Sequence, residues 1–370
     1  MEEVVIVIAD LYLTSAAEAA SIREVELPGL GQIARFGTGE AIGEGWRAWL
    51  AAWAGGEPLA GAPPATIAAA AGRAASAQAE GQMVWLATPV HFIAGLSSVH
   101  LDVRGLLQVE ADVRQSLASE FNSLFADSGY SLEALPSSGF LLTSPPIEGV
   151  LTSDPARVLG ASINEALPSA SQAPALRRLS AEVEMWLHEH PVNQRRVEQG
   201  RLPITALWFW GGGTAPAQRN GRAEAEIVST HVADTVPASA VRGAAALAST
   251  AAPAPGMAFG LDPYLDGLWR TFGGRAHAMP THFEDALAHS GRRAVFVIEL
   301  SQAFDQNRRW GIRDALMDAD QRWIMRALAA LRRGDVSRVT VIANDHKLSL
   351  SARDRLKLWR MPRPALTALQ

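Results

Sequence analysis

The sequence predicts an α/β fold: a mostly parallel sheet flanked by helices, with an inserted smaller α+β domain. Three observations predict it. Residues Val4–Ala9 form an unbroken apolar, largely β-branched run, the pattern of a strand buried on both faces. Similar runs alternate with helical patterns along the chain, as in a parallel sheet with crossover helices. From 89 to 150 the texture changes to weak alternation, one amphipathic helix and short strands around turns, which reads as a small α+β unit.

The first strand, Val4–Ala9, ends in Asp10. Thr14 or Ser15 caps a short helix, Ala16–Arg23. In LPGLGQIARFG (27–37), Pro28 starts a helix, Leu30, Ile33 and Ala34 sit at helical spacing, and Gly37 stops it. Trp46, Trp49, Leu50 and Trp53 follow at i, i+3, i+4 and i+7, one helix face. Residues 54–64 are rich in Gly and Pro, and 65–79 is a simple Ala-rich helix or a mobile segment. MVWLAT (83–88) is the second strand. Leu101–Val109 alternates weakly, and Val113–Phe125 is a helix with Leu117, Phe121, Leu124 and Phe125 on one face. Tyr130–Leu142 holds one or two short strands around the turn Pro136–Gly139. Leu176–Glu189 is a helix that His190–Pro191 ends. ITALWFW (204–210) is the third buried strand and runs into Gly211, Gly212 and Gly213. After an Ala-, Gly-, Pro- and Ser-rich stretch, AVFVIEL (294–300) is the fourth strand. Asp320–Arg333 is a helix with Trp323, Ala327, Leu328 and Leu331 facing in, and Arg338–Ala343 is the fifth strand.

Composition narrows the function classes. At 370 residues the chain suits two ordinary domains, or one large domain with an insertion. It has no cysteine, which excludes disulfides, cysteine–zinc sites, iron–sulfur clusters and a thiol nucleophile. A net charge of −5 argues against a nucleic-acid partner, which calls for a basic surplus. MEEVVIVIADL opens on two acids where a signal peptide carries bases, and its apolar run falls far short of the ~20 residues of a membrane span. The expected location is the cytoplasm, with no membrane partner. Eleven Trp against three Tyr is unusual, and several of the Trp lie close together.

In open α/β sheets, ligands bind beyond the carboxyl ends of the strands. Asp10, the Gly211–Gly213 loop, Glu299 to Asp305, and Asp345 with His346 follow four of the strands. Carboxylate oxygen and imidazole nitrogen at Asp10, Asp345 and His346 suit Zn, Mn or Fe, and two hard metals side by side suit phosphoryl chemistry. The plainer alternative has Asp10 capping the next helix and Asp345–His346 forming a polar turn. Gly211–Gly213 either cradles a phosphate with backbone N–H groups or marks a close backbone approach. The run GGGTAPAQ is neither a Walker A loop nor GxGxxG. Arg195, Arg196 and Arg201 cluster near it, meeting an anion or forming a solvated helix end. His188 and His190, at i and i+2, point apart on a helix, so this pair reads as structural. HExxH and GxSxG are absent.

VVIVIADL, LPGLGQIARFG, DPARVLG (154–160), HPVNQRRVEQGRLPITALWFWGGG (190–213) and VIANDH resemble, in order, segments of the alkaline-phosphatase superfamily. Within it they are most similar to the cofactor-independent phosphoglycerate mutases of the archaeal type. The resemblance implies a phosphatase-like core, 1–88 and 191–370, and a substrate-covering insertion at 89–190. It implies metal ligation, by Mn or Zn, at Asp10, Asp345 and His346. It also implies an anion-binding stretch of Asn193, Arg196, Gly211, Gly212 and Gly213. Over roughly 83–213 the chain resembles more closely a proteobacterial group of RpfE-like regulatory proteins, through ATPVHFIAGLSSVHLD, FNSLF, SGYSLE, HPVNQRR and LPITALWFWGGG.

Set against the mutase pattern, much is missing. The expected Ser nucleophile has no counterpart in GEAIGEGWRAWLAAWAGG, where Trp46, Trp49 and Trp53 stand instead. IELSQAFDQNRRWG keeps Asp305 but no His, and KLSLSARDRLKLWRMP has no His either. Losing the nucleophile removes the covalent step, and losing ligands removes at least one metal. The resemblance therefore implies a pseudoenzyme, an eroded relative with a regulatory or binding role toward a small phosphorylated ligand or a protein partner. The alternative is a metal-dependent phosphohydrolase or mutase with a rearranged site. It would use Asp10, Asp305, Asp345 and His346, with Thr14 or Ser15 beside the metal.

Overall fold

A computed structural model describes residues 1–12, 25–55, 57–72, 81–95, 98–147, 149–164, 166–168, 173–214, 256–289, 291–306 and 311–354. The expected helix Ala16–Arg23 with its caps Thr14 and Ser15, the end of the Ala-rich stretch, Trp310 and Trp359 lie outside the described residues, as does the side chain of Asp305. The strands are β1 (Glu3–Ile8), β2 (Thr38–Ala41), β3 (Met83–Ala94), β4 (Val99–Leu106), β5 (Ser131–Ala134), β6 (Phe140–Ser144), β7 (Ala206–Thr214), β8 (Met257–Phe259), β9 (Ala276–His277), β10 (Arg293–Ile298), β11 (Arg338–Ala343) and β12 (His346–Ser351).

The first sheet has the order β2-β12-β11-β1-β10-β8-β9. β1 lies between β10 and β11 and is parallel to both. β8 and β9 extend the parallel set, while β12 and β2 close one edge antiparallel. The β-branched run of β1 is explained by burial on both faces. Val4, Ile6 and Ile8 pack with Leu30, Ile33, Trp323, Leu328 and Leu331 on one side. Val5, Val7 and Ala9 pack with Trp46, Leu50, Leu265 and Trp269 on the other. The helix Pro28–Phe36 starts and stops as the sequence predicts. No side chain within it caps its start; instead the buried Asp320 accepts from the N–H groups of Gly29 (2.9 Å) and Leu30 (2.7 Å). A Cβ on Gly29 would stand 2.8 Å from that carboxylate, so the cap requires glycine there.

The second sheet is antiparallel and uses β3 as its spine, pairing β7 along one edge and β6 then β4 along the other, with β5 outside β6. Helices Ala111–Leu124 and Pro174–His188 cover one face, around Trp85, Phe121, Val183 and Phe209. The Ala-rich turns Pro64–Ala71 cover the other, with Ala65, Ala68 and Ala69 against Leu86, Val90, Trp208 and Trp210.

Here the structure corrects the sequence reading. The runs 83–88 and 204–210, expected in the parallel core, pair with each other in the second sheet, Leu86 opposite Trp210 and Thr88 opposite Trp208. An unbroken apolar run reports burial on both faces, and an antiparallel sheet covered on both sides produces the same run. The strands of the second sheet thus run from Met83 to Thr214 and extend beyond the 89–190 expected for the insertion on both sides. Among the described residues, no helix is long and apolar enough to cross a membrane.

Candidate functional site

The segments that follow β1, β8 and β10 face the second sheet across a cavity of about 60 Å³, lined in part by Asp10, Arg47, Asp154, Trp210, Asp262 and Glu299. Small-molecule sites usually measure ~300–1,000 Å³, so this one holds a few waters.

Asp10 is buried, and both its oxygens are engaged. They accept from the N–H groups of Leu300 (2.7 Å) and Ser301 (2.8 Å), at the start of the helix Leu300–Gln306. Burial pushes its carboxyl above the usual carboxylate range, against the pull of those N–H groups and the Ser301 hydroxyl. Glu299 is pushed up to about 8, first by burial and then by the nearby Asp262 and Asp10 charges, while Gln302 donates to it.

Arg47 sits in the helix Gly45–Gly55 and donates to Asp154 and, at 2.6 Å, to Asp262. Its guanidinium lies 4.3 Å from the Trp46 ring centre, 4.7 Å from Trp210 and 6.0 Å from Tyr264. Burial alone would lower its pKa, but Asp262 and Asp154 outweigh this and raise it, so the group stays charged. Both acids also work locally. Asp262 caps the helix Pro263–Thr271 through Tyr264 and Leu265 N–H, and Asp154 caps the turn Pro155–Val158 through Ala156 N–H.

Asn344 and Asp345 form the two-residue hairpin turn between β11 and β12, with φ of 47° and 58°. Two successive left-handed residues define a type I′ turn, which Asn and Asp tolerate better than most residues. The Asp345 carboxylate accepts twice from Arg157, at 2.6 and 2.8 Å, and that guanidinium lies over the Tyr12 ring at 4.7 Å. The His346 Nδ1 donates to the Asn344 carbonyl at 2.9 Å. Asp10, Asp345 and His346 thus all sit at the carboxyl end of the first sheet, but both carboxylates are already engaged by donors of the chain. Among the described residues no three His, Asp or Glu side chains gather to hold a metal ion. The metal pair implied by the mutase resemblance does not fit this donor set, because guanidinium and N–H groups already occupy the carboxylate oxygens.

The residues of the expected anion-binding set are engaged with the chain itself. Asn193 is buried and brackets backbone, donating to the Leu187 and Ile204 carbonyls and accepting from Ile204 N–H, all at 2.7 Å. Arg196 donates to the carbonyls of Leu202 (2.8 Å) and Gln108 (3.2 Å). Gly211–Gly213 continue β7 instead of forming a loop. A Cβ on Gly212 would lie 2.2 Å from the Trp85 ring, and one on Gly213 2.6 Å from Pro63, so these glycines permit close packing. His190 caps the helix Pro191–Glu198 through Val192 N–H and meets Glu120 at 2.9 Å, a structural role as expected.

The sequence reading missed Arg47, Arg157, Asp154, Asp262 and Tyr264. One signal was present: Asp154–Pro155 and Asp262–Pro263 are both an N-cap followed by proline.

No family model matches the chain. A probable 2,3-bisphosphoglycerate-independent phosphoglycerate mutase of Geobacter sulfurreducens is 37% identical over 68 residues, 18% of this chain and 17% of that protein. The 2,3-bisphosphoglycerate-independent phosphoglycerate mutase of Methanothrix thermoacetophila is 38% identical over 63 residues, 17% of this chain and 16% of that one. The matched stretches therefore span about a sixth of these relatives' length. Among solved structures, the cofactor-independent phosphoglycerate mutase from Thermoplasma acidophilum aligns over 95% of this chain and 90% of its own, at TM-score 0.36 and 16% identity. The PH0037 protein from Pyrococcus horikoshii aligns over 99% and 92%, at TM-score 0.43 and 12% identity. The chain is locally similar to cofactor-independent phosphoglycerate mutases over about a fifth of its length.

Proposed function

We propose that this chain is a phosphoglycerate-mutase relative that acts by binding, not by phosphoryl transfer. The observation that carries the reading is Asp345: both its oxygens are held by Arg157 of the same chain. Its neighbours support it, since Asp10 is spent on two backbone N–H groups and Asp154 and Asp262 on Arg47. Trp46 fills the stretch where the resemblance places a nucleophile, and it is buried.

The cavity favours a protein partner over a small phosphorylated ligand. It offers about 60 Å³, and its one lining cation, Arg47, is already paired with both Asp154 and Asp262. A doubly charged phosphate would have to compete with those two carboxylates for Arg47.

Metal analysis of the purified protein, joined to phosphatase and phosphoglycerate mutase assays with added Mn and Zn, tests the reading. The expected result is no bound stoichiometric metal and no turnover above a blank. Turnover that Asp10→Ala abolishes would establish the metal-dependent alternative instead.

A further inference from the structure

We propose that the turn Asp154–Val158 is a two-way ionic clamp that fixes the second sheet's unit against the carboxyl end of the first sheet. The turn is rooted in the second sheet. Trp208 Nε1 donates to the Ser153 carbonyl (2.8 Å), Gly211 N–H to Thr152 Oγ1 (3.0 Å), and Gly160 N–H to the Leu101 carbonyl (2.8 Å). From that root it presents one charge of each sign to the first unit. Asp154 receives Arg47, and Arg157 gives both guanidinium nitrogens to Asp345.

The opposite polarity of the two pairs specifies position. A displacement that brought Arg157 toward Arg47, or Asp154 toward Asp345, would set like charges together at low exposure. The two pairs also differ in depth. Arg47 and Asp154 have side chains 14% and 12% exposed, whereas Arg157 and Asp345 lie at the rim, 38% and 29% exposed. The rest of the contact between the units carries no charge. Ala65, Ala68 and Ala69 pack against the second sheet, Thr66 Oγ1 donates to the Thr214 carbonyl (3.2 Å), and Ser138 Oγ donates to the Leu261 carbonyl (2.9 Å). The two ionic pairs add to this packing a charge pattern that only one relative position satisfies. The inference holds whether or not the cleft is catalytic.

The chain has no cysteine, so introduced cysteines label uniquely. Ser119→Cys, on the exposed face of the second unit's helix, and Arg313→Cys, exposed in the first unit, carry spin labels on the full chain. Pulsed dipolar spectroscopy reads the distance between them. The native background should give one narrow distribution. Arg157→Gln and Asp345→Asn should each add a longer-distance population, and the double variant should match either single one, because the pair acts as a unit. Asn at 345 keeps a residue that tolerates the left-handed turn. Asp154→Asn, which retains the cap, should broaden the distribution further when combined with Arg157→Gln. Should that combination fail to fold, the two rim variants decide alone. An unchanged narrow distribution in the folded rim variants would overturn the clamp and leave the alanine packing as what holds the units.

Discussion

Replacing Arg47 with Met keeps an unbranched stem against Trp46 and Trp210 but deletes the charge. The native guanidinium serves Asp154 and Asp262, whose side chains are 12% and 3% exposed. Removing one partner of a buried pair strands the other charge and costs about 3–5 kcal/mol. Two features place Arg47 within that range. Asp262 keeps Tyr264 and Leu265 N–H and Asp154 keeps Ala156 N–H, which soften the loss. The lost contacts over Trp46 and Trp210 add about 0.5–2 kcal/mol. The expected destabilisation is therefore about 4 kcal/mol, roughly a 5 °C drop in Tm for a chain of this length unfolding as one unit. Urea unfolding followed by tryptophan fluorescence and circular dichroism measures it. The companion variant is Arg47→Met with Asp154→Asn and Asp262→Asn, which keeps both caps and removes all three charges. Neutralising a whole buried cluster is close to neutral for stability, so most of the loss should return. A single-variant cost under ~1 kcal/mol, the value of an exposed pair, would refute the reasoning, as would a triple variant less stable than the single one.

Glu299 gives a pH signature. It holds its proton to about pH 8 when folded, against an ordinary value of 4.5, so between those limits the folded chain binds more protons than the unfolded one. Stability then falls as pH rises through that window. Glu299→Gln should flatten the slope of unfolding free energy between pH 5 and 8; an unchanged slope would assign the effect elsewhere. Asn193→Ala should cost about 3 kcal/mol by thermal and urea unfolding, because the buried Ile204 N–H and carbonyl each lose a partner worth about 1–3 kcal/mol, while the Leu187 carbonyl keeps the His190 N–H. A loss below 1 kcal/mol would mean that water or another side chain satisfies them. Gly212→Ala should destabilise by about 1–3 kcal/mol through overpacking on Trp85. Millimolar phosphate should leave the native Tm unchanged; a phosphate-dependent rise that Gly212→Ala removed would restore the anion site.

The fold was legible where a pattern has one physical cause. The run Val4–Ala9 has no structural home other than a doubly covered strand, and it is the centre of the first sheet. The Pro28 start and Gly37 stop mark the helix ends for steric reasons that neighbours do not alter. The pairing of β3 with β7 was not legible, because partner choice depends on residues more than a hundred positions away while the apolar run only reports burial. The site residues divide in the same way. Asp10 and Asp345 stand out at strand ends, but their partners, backbone N–H groups and Arg157, come from the far side of the chain. Arg47 was hidden by its setting: a tryptophan-rich helix reads as core, and the charge inside it draws attention only once Asp154 and Asp262 are seen around it.

Each aspartate at this end of the sheet has a local task that would keep an Asp or a close substitute in place without any reaction. Asp345 occupies a left-handed position in a tight hairpin, where Asn, Asp and Gly are the low-strain choices. Asp154 and Asp262 precede prolines at the first turns of helical segments and accept the N–H groups left free there. Asp10 spans the first N–H groups of the helix after β10, tying the ends of two neighbouring strands together. Carboxylates spaced by such backbone demands converge at one end of a parallel sheet, and their repulsion has to be offset by cations. A divalent metal can do so, and so can guanidinium groups from the chain. Arg47 and Arg157 hold three of the four aspartates here, and Asp10, the fourth, is held by amides instead. An Asp–His pair after a buried strand therefore says little by itself about metal chemistry. The informative feature is whether arginines stand within two hydrogen bonds of the acids, and in this protein they do.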